Sequence, residues 1–91
     1  MTDRTSDSTF DDAGSNVGYI SGIASASNDD TIKLPRKCKT IICQTSNDDD
    51  EIATAALSSD GLTATFGLVD DAGAAGTTDR SIHWIARRHH Q

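Results

Sequence analysis

The sequence predicts a small all-β protein, an antiparallel β-sandwich or barrel of five to six short strands with an extended N-terminal arm. Its 91 residues leave room for a single domain. The acidic residues are 13 Asp and one Glu, and Asp favours turns whereas helix surfaces usually carry Glu. Short apolar runs also recur about every 10 residues between polar turn clusters, which is typical of sandwiches and barrels.

The chain divides into a polar N-terminal arm (1–16), a β domain (17–88) and a C-terminal tail (89–91). The arm has no periodic pattern of apolar residues, and Phe10 is its only large apolar side chain besides Met1. Such a segment gains little by burial, so it needs something to hold it in place. It either crosses a neighbouring subunit or folds back on its own domain, and the mechanism that we favour places Phe10 on a neighbour.

The β domain begins with a strand over 17–23, interrupted by Gly18 and Gly22. Glycines inside a strand often mark a bulge or a close approach of backbone. A short strand follows at 31–34 and ends at Pro35, which cannot donate to a sheet ladder.

The most apolar run, Thr40–Thr45, predicts a central strand that contributes Ile41 to the core. The next segment, 51–57, fits either a helix or a strand, because Ala is a good helix former. The turn-like residues 58–61 and the alternation up to Phe66 favour a hairpin, with Phe66 in the core.

The last strand is predicted over 81–86, after a flexible Gly/Ala/Asp loop at 68–78. Alternation places Ile82, Trp84 and Ala86 on one face of this strand, and we expect Ile82 and Trp84 in the core. His83 and Ile85 face the other side.

No motif in the sequence predicts catalysis, a cofactor or a metal. Cys38 and Cys43 are five residues apart, so a straight strand places them on opposite faces. The triplet at 48–50 fails the calcium-loop pattern, which needs Gly at the sixth position, where Ala53 stands. We therefore expect no enzyme activity and no native metal site.

The charges are arranged in blocks, although the net charge is only −6. Seven carboxylates lie between residues 46 and 73, which contain no Lys or Arg. A basic block precedes them, made of Lys33, Arg36, Lys37 and Lys39. Blocks of opposite sign suit contact between copies or docking on a partner of opposite charge. They do not suit nucleic acid, and no apolar run predicts a membrane span or a signal peptide.

The chain has a limited supply of core residues, since only 16 of its 91 residues are Ile, Leu, Val or Phe. An isolated domain of this composition is expected to be marginally stable. We therefore expect oligomerisation or docking. Tyr19 and Phe10 are candidate interface anchors beside the basic block, because aromatic side chains concentrate binding energy.

The order of segments resembles small β-sandwich structural proteins of tailed viruses. The likeness rests on GYISGIASASN, TIKLP, TIICQT, ALSSDGLTATFGL, DDAGAAGTTDRS and SIHWIARR, which together span about residues 17–88. The resemblance implies a virion protein, most simply a capsid decoration subunit that contacts copies of itself and a major capsid or tail protein. The alternative that it implies is a receptor- or glycan-binding module of a tail or fibre.

Overall fold

The computed structural model describes residues 2–12, 18–45, 51–70 and 72–88. Two antiparallel sheets pack face to face, so the predicted all-β sandwich class is confirmed. After a short 3₁₀ helix at Thr5–Asp7 come seven strands, more than the five to six predicted. They are β1 (Ser8–Asp12), β2 (Tyr19–Ala26), β3 (Thr31–Lys33), β4 (Cys38–Thr45), β5 (Ile52–Leu57), β6 (Thr63–Val69) and β7 (Arg80–Arg88).

One sheet has four strands in the order β1-β2-β7-β4. Its two central strands pair from Tyr19 opposite Arg87 to Ala26 opposite Arg80. Period-two alternation turns one face of each strand inward, and Ile20 and Ile82 are fully buried there. Trp84 lies on the same inner face and is also buried.

The other sheet has three strands in the order β3-β6-β5. Strands β5 and β6 form the hairpin that the sequence favours over a helix at 51–57, with Leu57 opposite Ala64. The turn between them contains Gly61 at a positive φ of 73°, a conformation that glycine adopts at low cost. Phe66 and Leu68 on β6 are fully buried against the first sheet.

The central strand predicted at Thr40–Thr45 is instead an edge strand, β4, which pairs only with β7 among the described strands. Apolar composition made this run look central, but Ile42 is 70% exposed and Ile41 only partly buried. Composition reports how apolar a strand is, whereas its position in the sheet depends on which neighbours pair with it.

The N-terminal arm folds back on its own domain over residues 2–12. Strand β1 pairs with β2, with Phe10 opposite Gly22. The preceding residues lie along β3, where Thr31 N donates to Thr2 O (2.8 Å) and Arg4 N donates to Thr31 O (2.6 Å). The expectation that the arm crosses a neighbour is therefore wrong for these residues, because backbone groups of β2 and β3 already bind them.

The two cysteines share one face, contrary to the odd-spacing argument. The β4–β7 register shifts between Cys38 and Thr40, so Lys39 is an extra bulge residue. The bulge restores an even count, and both cysteines turn toward the core as free thiols, Cys38 buried and Cys43 half-buried.

The loop predicted to be flexible at 68–78 carries an organised turn. One carboxylate oxygen of Asp70 accepts hydrogen bonds from the backbone N–H groups of Ala72 (2.9 Å) and Ala74 (2.8 Å). The loop then returns alongside β6, where Gly76 N donates to Leu68 O (2.7 Å). The acidic triplet at 48–50, which fails the calcium-loop pattern, and the tail at 89–91 lie outside the described residues.

Candidate interaction surface

The solvent-facing side of the four-stranded sheet carries exposed apolar side chains and is called the outer face below. Six large hydrophobic side chains are exposed in the described part of the chain, and four of them lie here. They are Tyr19 (45% exposed), Ile23 (41%), Ile42 (70%) and Ile85 (39%).

The outer face arises because β2, β4 and β7 carry apolar residues at outward-facing as well as inward-facing positions. In β4, for example, Ile41 packs toward the core and its neighbour Ile42 points outward. The three-stranded sheet differs, since the outward positions of β5 and β6 include Thr54, Thr63 and Thr65, with Ile52 and Val69 paired at one end. The exposed large apolar side chains are therefore concentrated on the four-stranded sheet rather than on the three-stranded sheet.

The strand register places the outer-face residues in adjacent rows. Ile42 is opposite Ile85, and the next row joins Ile23, His83 and Gln44 across three strands. These two rows border an open depression between β4 and β7, lined by Ile42, Cys43, Gln44, His83, Trp84 and Ile85. An open apolar surface of this kind suits a protein contact better than an enclosed small molecule.

One end of the sandwich is basic, and it is called the basic end below. The start of β4 meets the finish of β7, where Cys38 is opposite Arg88 and Thr40 is opposite Arg87. The hairpin turn approaches this end through the hydrogen bond from Cys38 N to Gly61 O (2.8 Å). Five cations lie at this end: Arg36, Lys37, Lys39, Arg87 and Arg88. Asp60 lies in the hairpin turn, and β1 also ends here, with Asp12 opposite Ile20.

The opposite end is acidic, and it is called the acidic end below. It is formed where β2 ends at Ala26 and β7 begins at Arg80. The described carboxylates there are Asp7, Asp29, Asp30, Glu51, Asp70 and Asp79, with Arg4 and Arg80 as the cations. The residues of the basic and acidic sequence blocks thus lie largely at opposite ends of the folded molecule.

Ion pairs neutralise charge mainly at the acidic end. Arg80 Nε donates to Glu51 Oε1 (2.6 Å), and Arg4 contacts Asp30 (2.9 Å) and Asp79 (2.7 Å). At the basic end, no ion pair joins Lys37, Lys39, Arg87 or Arg88 to another residue in the described ranges. Lys37, Lys39 and Arg87 are exposed and can attract an acidic surface, whereas Arg88 Nε is buried. Besides the hydrogen bond from Ser58, Lys37 also lies close enough to Asp60 to help lower the pKa of that carboxyl.

The arm is anchored by Asp30, the buried charged residue of the described core. Burial by itself raises the pKa of the Asp30 carboxyl, but hydrogen bonds from the Ser27 backbone and hydroxyl and from Arg4 outweigh it and hold that pKa below its usual value. Asp30 therefore stays ionised and ties Arg4 to the β2–β3 turn.

The Cys43 thiol is not activated for reaction. Burial raises the pKa of the Cys43 thiol to about 11, so it is protonated near neutral pH. No cluster of His, Cys, Asp and Glu suited to a metal is present in the ranges 2–12, 18–45, 51–70 and 72–88. Within the described residues, no helix is long and apolar enough to cross a membrane.

The predicted interface residues separate into three groups. Arg36, Lys37 and Lys39 lie at the basic end, and Tyr19 lies beside it on the outer face, opposite Arg87. Lys33 lies on β3 opposite Thr63, with its ammonium 3.8 Å from Asp3.

Phe10 is not a free anchor. Its ring packs against Trp84 in an edge-to-face arrangement, with the ring centroids 5.7 Å apart. The prediction that Phe10 anchors a neighbour is therefore corrected, because this ring covers the chain's own tryptophan.

Sequence reasoning did not select Ile23, Ile42, Ile85, Arg87 and Arg88 as surface candidates. The adjacent pair Ile41–Ile42 was a usable signal, because neighbours in a strand face opposite sides and one of them must point away from the core. No local sequence pattern indicates that Arg87 lies near Lys39, since the β4–β7 register brings the two residues together.

Comparisons with protein families, with curated proteins and with solved structures found no match for this chain.

Proposed function

We propose that the protein is a structural subunit of a virion that decorates a viral shell and has no catalytic role. The outer face is the observation that carries this proposal, because Tyr19, Ile23, Ile42 and Ile85 form an exposed apolar surface on one side of the sandwich. The resemblance of the strand segments to tailed-virus structural proteins supplies the kind of particle.

Docking would use the outer face together with the adjacent basic end. Apolar contact supplies most of the affinity in such interfaces, whereas charge sets the orientation and the association rate. Because Tyr19 is opposite Arg87 in the β2–β7 ladder, the apolar surface and the cations are contiguous. The partner expected from this arrangement is a shell protein with an apolar patch beside an acidic one.

The direct test is co-sedimentation of the purified protein with empty shells of the capsid protein encoded nearest to it. The double variant K37E/K39E should weaken binding by at least about tenfold, because it reverses two exposed cations at the basic end. The matched control is K33E, which reverses a cation of the same sequence block whose ammonium already lies 3.8 Å from Asp3. Equal loss in both variants, or no binding by the wild type, would refute this docking site.

The glycan-binding alternative has less support from the structure. Of the four aromatic residues, only Tyr19 is exposed, and sugar platforms usually need more than one exposed ring. Binding to a glycan array by the free protein, without co-sedimentation, would reverse this preference.

A further inference from the structure

Each sheet has two edge strands, and the edges on one side of the sandwich are covered or short whereas those on the other side are exposed. The first side is called the closed side below and the second the open side. On the closed side, the arm covers β3, and Lys33 N also donates to Thr5 Oγ1 (2.8 Å). Strand β1 forms the neighbouring edge; it has five residues and its sequence ends in two aspartates. Short, charged or covered edges resist pairing with other chains.

The open side is formed by β4 and β5, which lie next to each other in the two layers. Strand β4 is eight residues long and has one charged residue, Lys39, near its start. Its run Thr40–Thr45 has no charge and no proline. Among the described strands β7 is its one ladder partner. A long, uncharged edge of this kind is a template for strand addition.

We infer that β4 pairs with β4 of a second copy, which joins the two four-stranded sheets into one eight-stranded sheet. The inference goes beyond the proposed function and does not depend on it, because a shell can bind a monomer or a dimer. Strand β5 is the weaker candidate, since it has six residues and three of them are alanine, which favours strands less than Ile and Thr do.

The sequence of β4 is self-complementary in an antiparallel register centred on Ile42. In that register Ile42 lies opposite Ile42 of the second copy, and Thr40 lies opposite the second copy's Gln44. Shifting the centre to residue 41 or 43 places Ile42 opposite Thr40 or Gln44, so the side chain that is 70% exposed loses its apolar partner. Cross-strand pairs of matched character are the units that stabilise such a ladder.

The charge distribution supports a second copy as the occupant. Antiparallel pairing of β4 places the basic end of each copy beside the acidic end of the other, so both ends are matched at once. A parallel arrangement would bring the two basic ends together, and like charges would oppose it. A two-fold axis through Ile42 is the symmetry that this pairing requires.

The test measures self-association of the full chain by sedimentation velocity across the micromolar range. The wild type should show a monomer–dimer equilibrium. Ile42→Lys places like charges directly opposite each other across the axis, so the dimer dissociation constant should rise by at least about tenfold. Because Ile42 is exposed, the variant should keep the wild-type circular dichroism spectrum.

Two further samples make the result specific. A mixture of I42K with I42E should restore the dimer, because the two charges then attract across the axis. Ile23→Lys is the matched control, since Ile23 is exposed on the same outer face but lies on central strand β2. It should leave self-association unchanged.

Three outcomes would overturn the inference. They are a wild type that stays monomeric throughout, an I42K variant that still dimerises, and an I23K variant that abolishes the dimer while I42K does not. The last outcome would indicate face-to-face packing of the outer faces instead. Co-sedimentation with shells is a separate readout, so failure of this inference is distinguishable from failure of the proposed function.

Discussion

At the residue scale, Gly22 decides how tightly the arm closes over the core. It lies beneath Trp84, and a Cβ built on Gly22 would overlap the carbonyl oxygen of Thr9 and approach the indole ring to within 2.8 Å. Glycine inside a strand marks either a bulge or a close approach of backbone, and the geometry shows a close approach at Gly22. The indole of Trp84 can pack closely against β2 because residue 22 has no side chain.

Replacing Gly22 with Ala should therefore destabilise the fold by about 1–3 kcal/mol, the usual cost of overpacking. Urea unfolding followed by Trp84 fluorescence measures this directly, since Trp84 is the one tryptophan in the sequence. Ser21→Ala, on the opposite face of the same strand, is the control and should stay within about 0.5 kcal/mol. A G22A variant as stable as S21A would show that the indole does not lie over this glycine.

Asp30 predicts a pH dependence of stability. Its pKa is lowered in the folded protein, so its contribution is fully present above the unfolded pKa of about 3.9 and is lost as pH falls through the folded value. Asp30→Asn should cost about 1–3 kcal/mol at neutral pH, because it weakens the bonds from Arg4 and Ser27.

The measurement for Asp30 is urea unfolding of wild type and D30N between pH 7 and pH 3. The stability gap between the two proteins should be constant at the upper end and should narrow below about pH 4. Asp29→Asn, in the same turn but exposed, should stay within about 0.5 kcal/mol of wild type at neutral pH. A gap that widens toward acid would contradict the lowered pKa of Asp30.

At the element scale, the two strands that sequence reasoning misjudged are both edge strands. It did not predict β1, because a segment reading Ser-Thr-Phe-Asp-Asp has one large apolar residue and no period. It predicted β4 as central because the run is apolar. In both strands the deciding quantity is the set of partners available in three dimensions: β2 offers an edge to β1, and β7 leaves β4 with one neighbour.

The contribution of β1 can be measured through the Phe10–Trp84 contact. Phe10→Ala should lower stability by about 2 kcal/mol, less than a fully buried Phe would cost, because Phe10 is only partly buried. It should also shift the Trp84 emission to longer wavelength, since water gains access to the indole. Tyr19→Ala, an exposed ring on neighbouring β2, should leave the emission unchanged. Unchanged emission in F10A would contradict the packing of the arm on Trp84.

At the scale of the whole molecule, folding converts charge blocks along the chain into a charge separation along the strand axis. The basic block at 36–39 is joined by Arg87 and Arg88, which are about 50 residues away in sequence, through the β4–β7 ladder. The acidic end instead contains its own arginines, held in ion pairs. A molecule with opposite ends suits ordered contacts with copies of itself or with a charged partner.

Self-association should make the melting temperature depend on protein concentration. If the folded dimer is the more stable species, the wild-type Tm should rise with concentration, because mass action favours the associated form. The Tm of Ile42→Lys should be independent of concentration and equal to that of dilute wild type. A wild-type Tm that does not change over a hundredfold dilution would show that association contributes nothing to stability.

The sequence by itself determined the all-β class and the inward faces of β6 and β7, and it favoured the hairpin of β5 and β6 over a helix. These features depend on local alternation and turn chemistry, which neighbouring residues carry. Only the tertiary structure decided that the arm stays on its own domain, that the bulge at Lys39 turns both cysteines inward, and that β4 is an exposed edge. Each of these features depends on pairing between segments that are far apart in the chain. The free energy of such pairing depends on both segments, so it cannot be read from either segment alone.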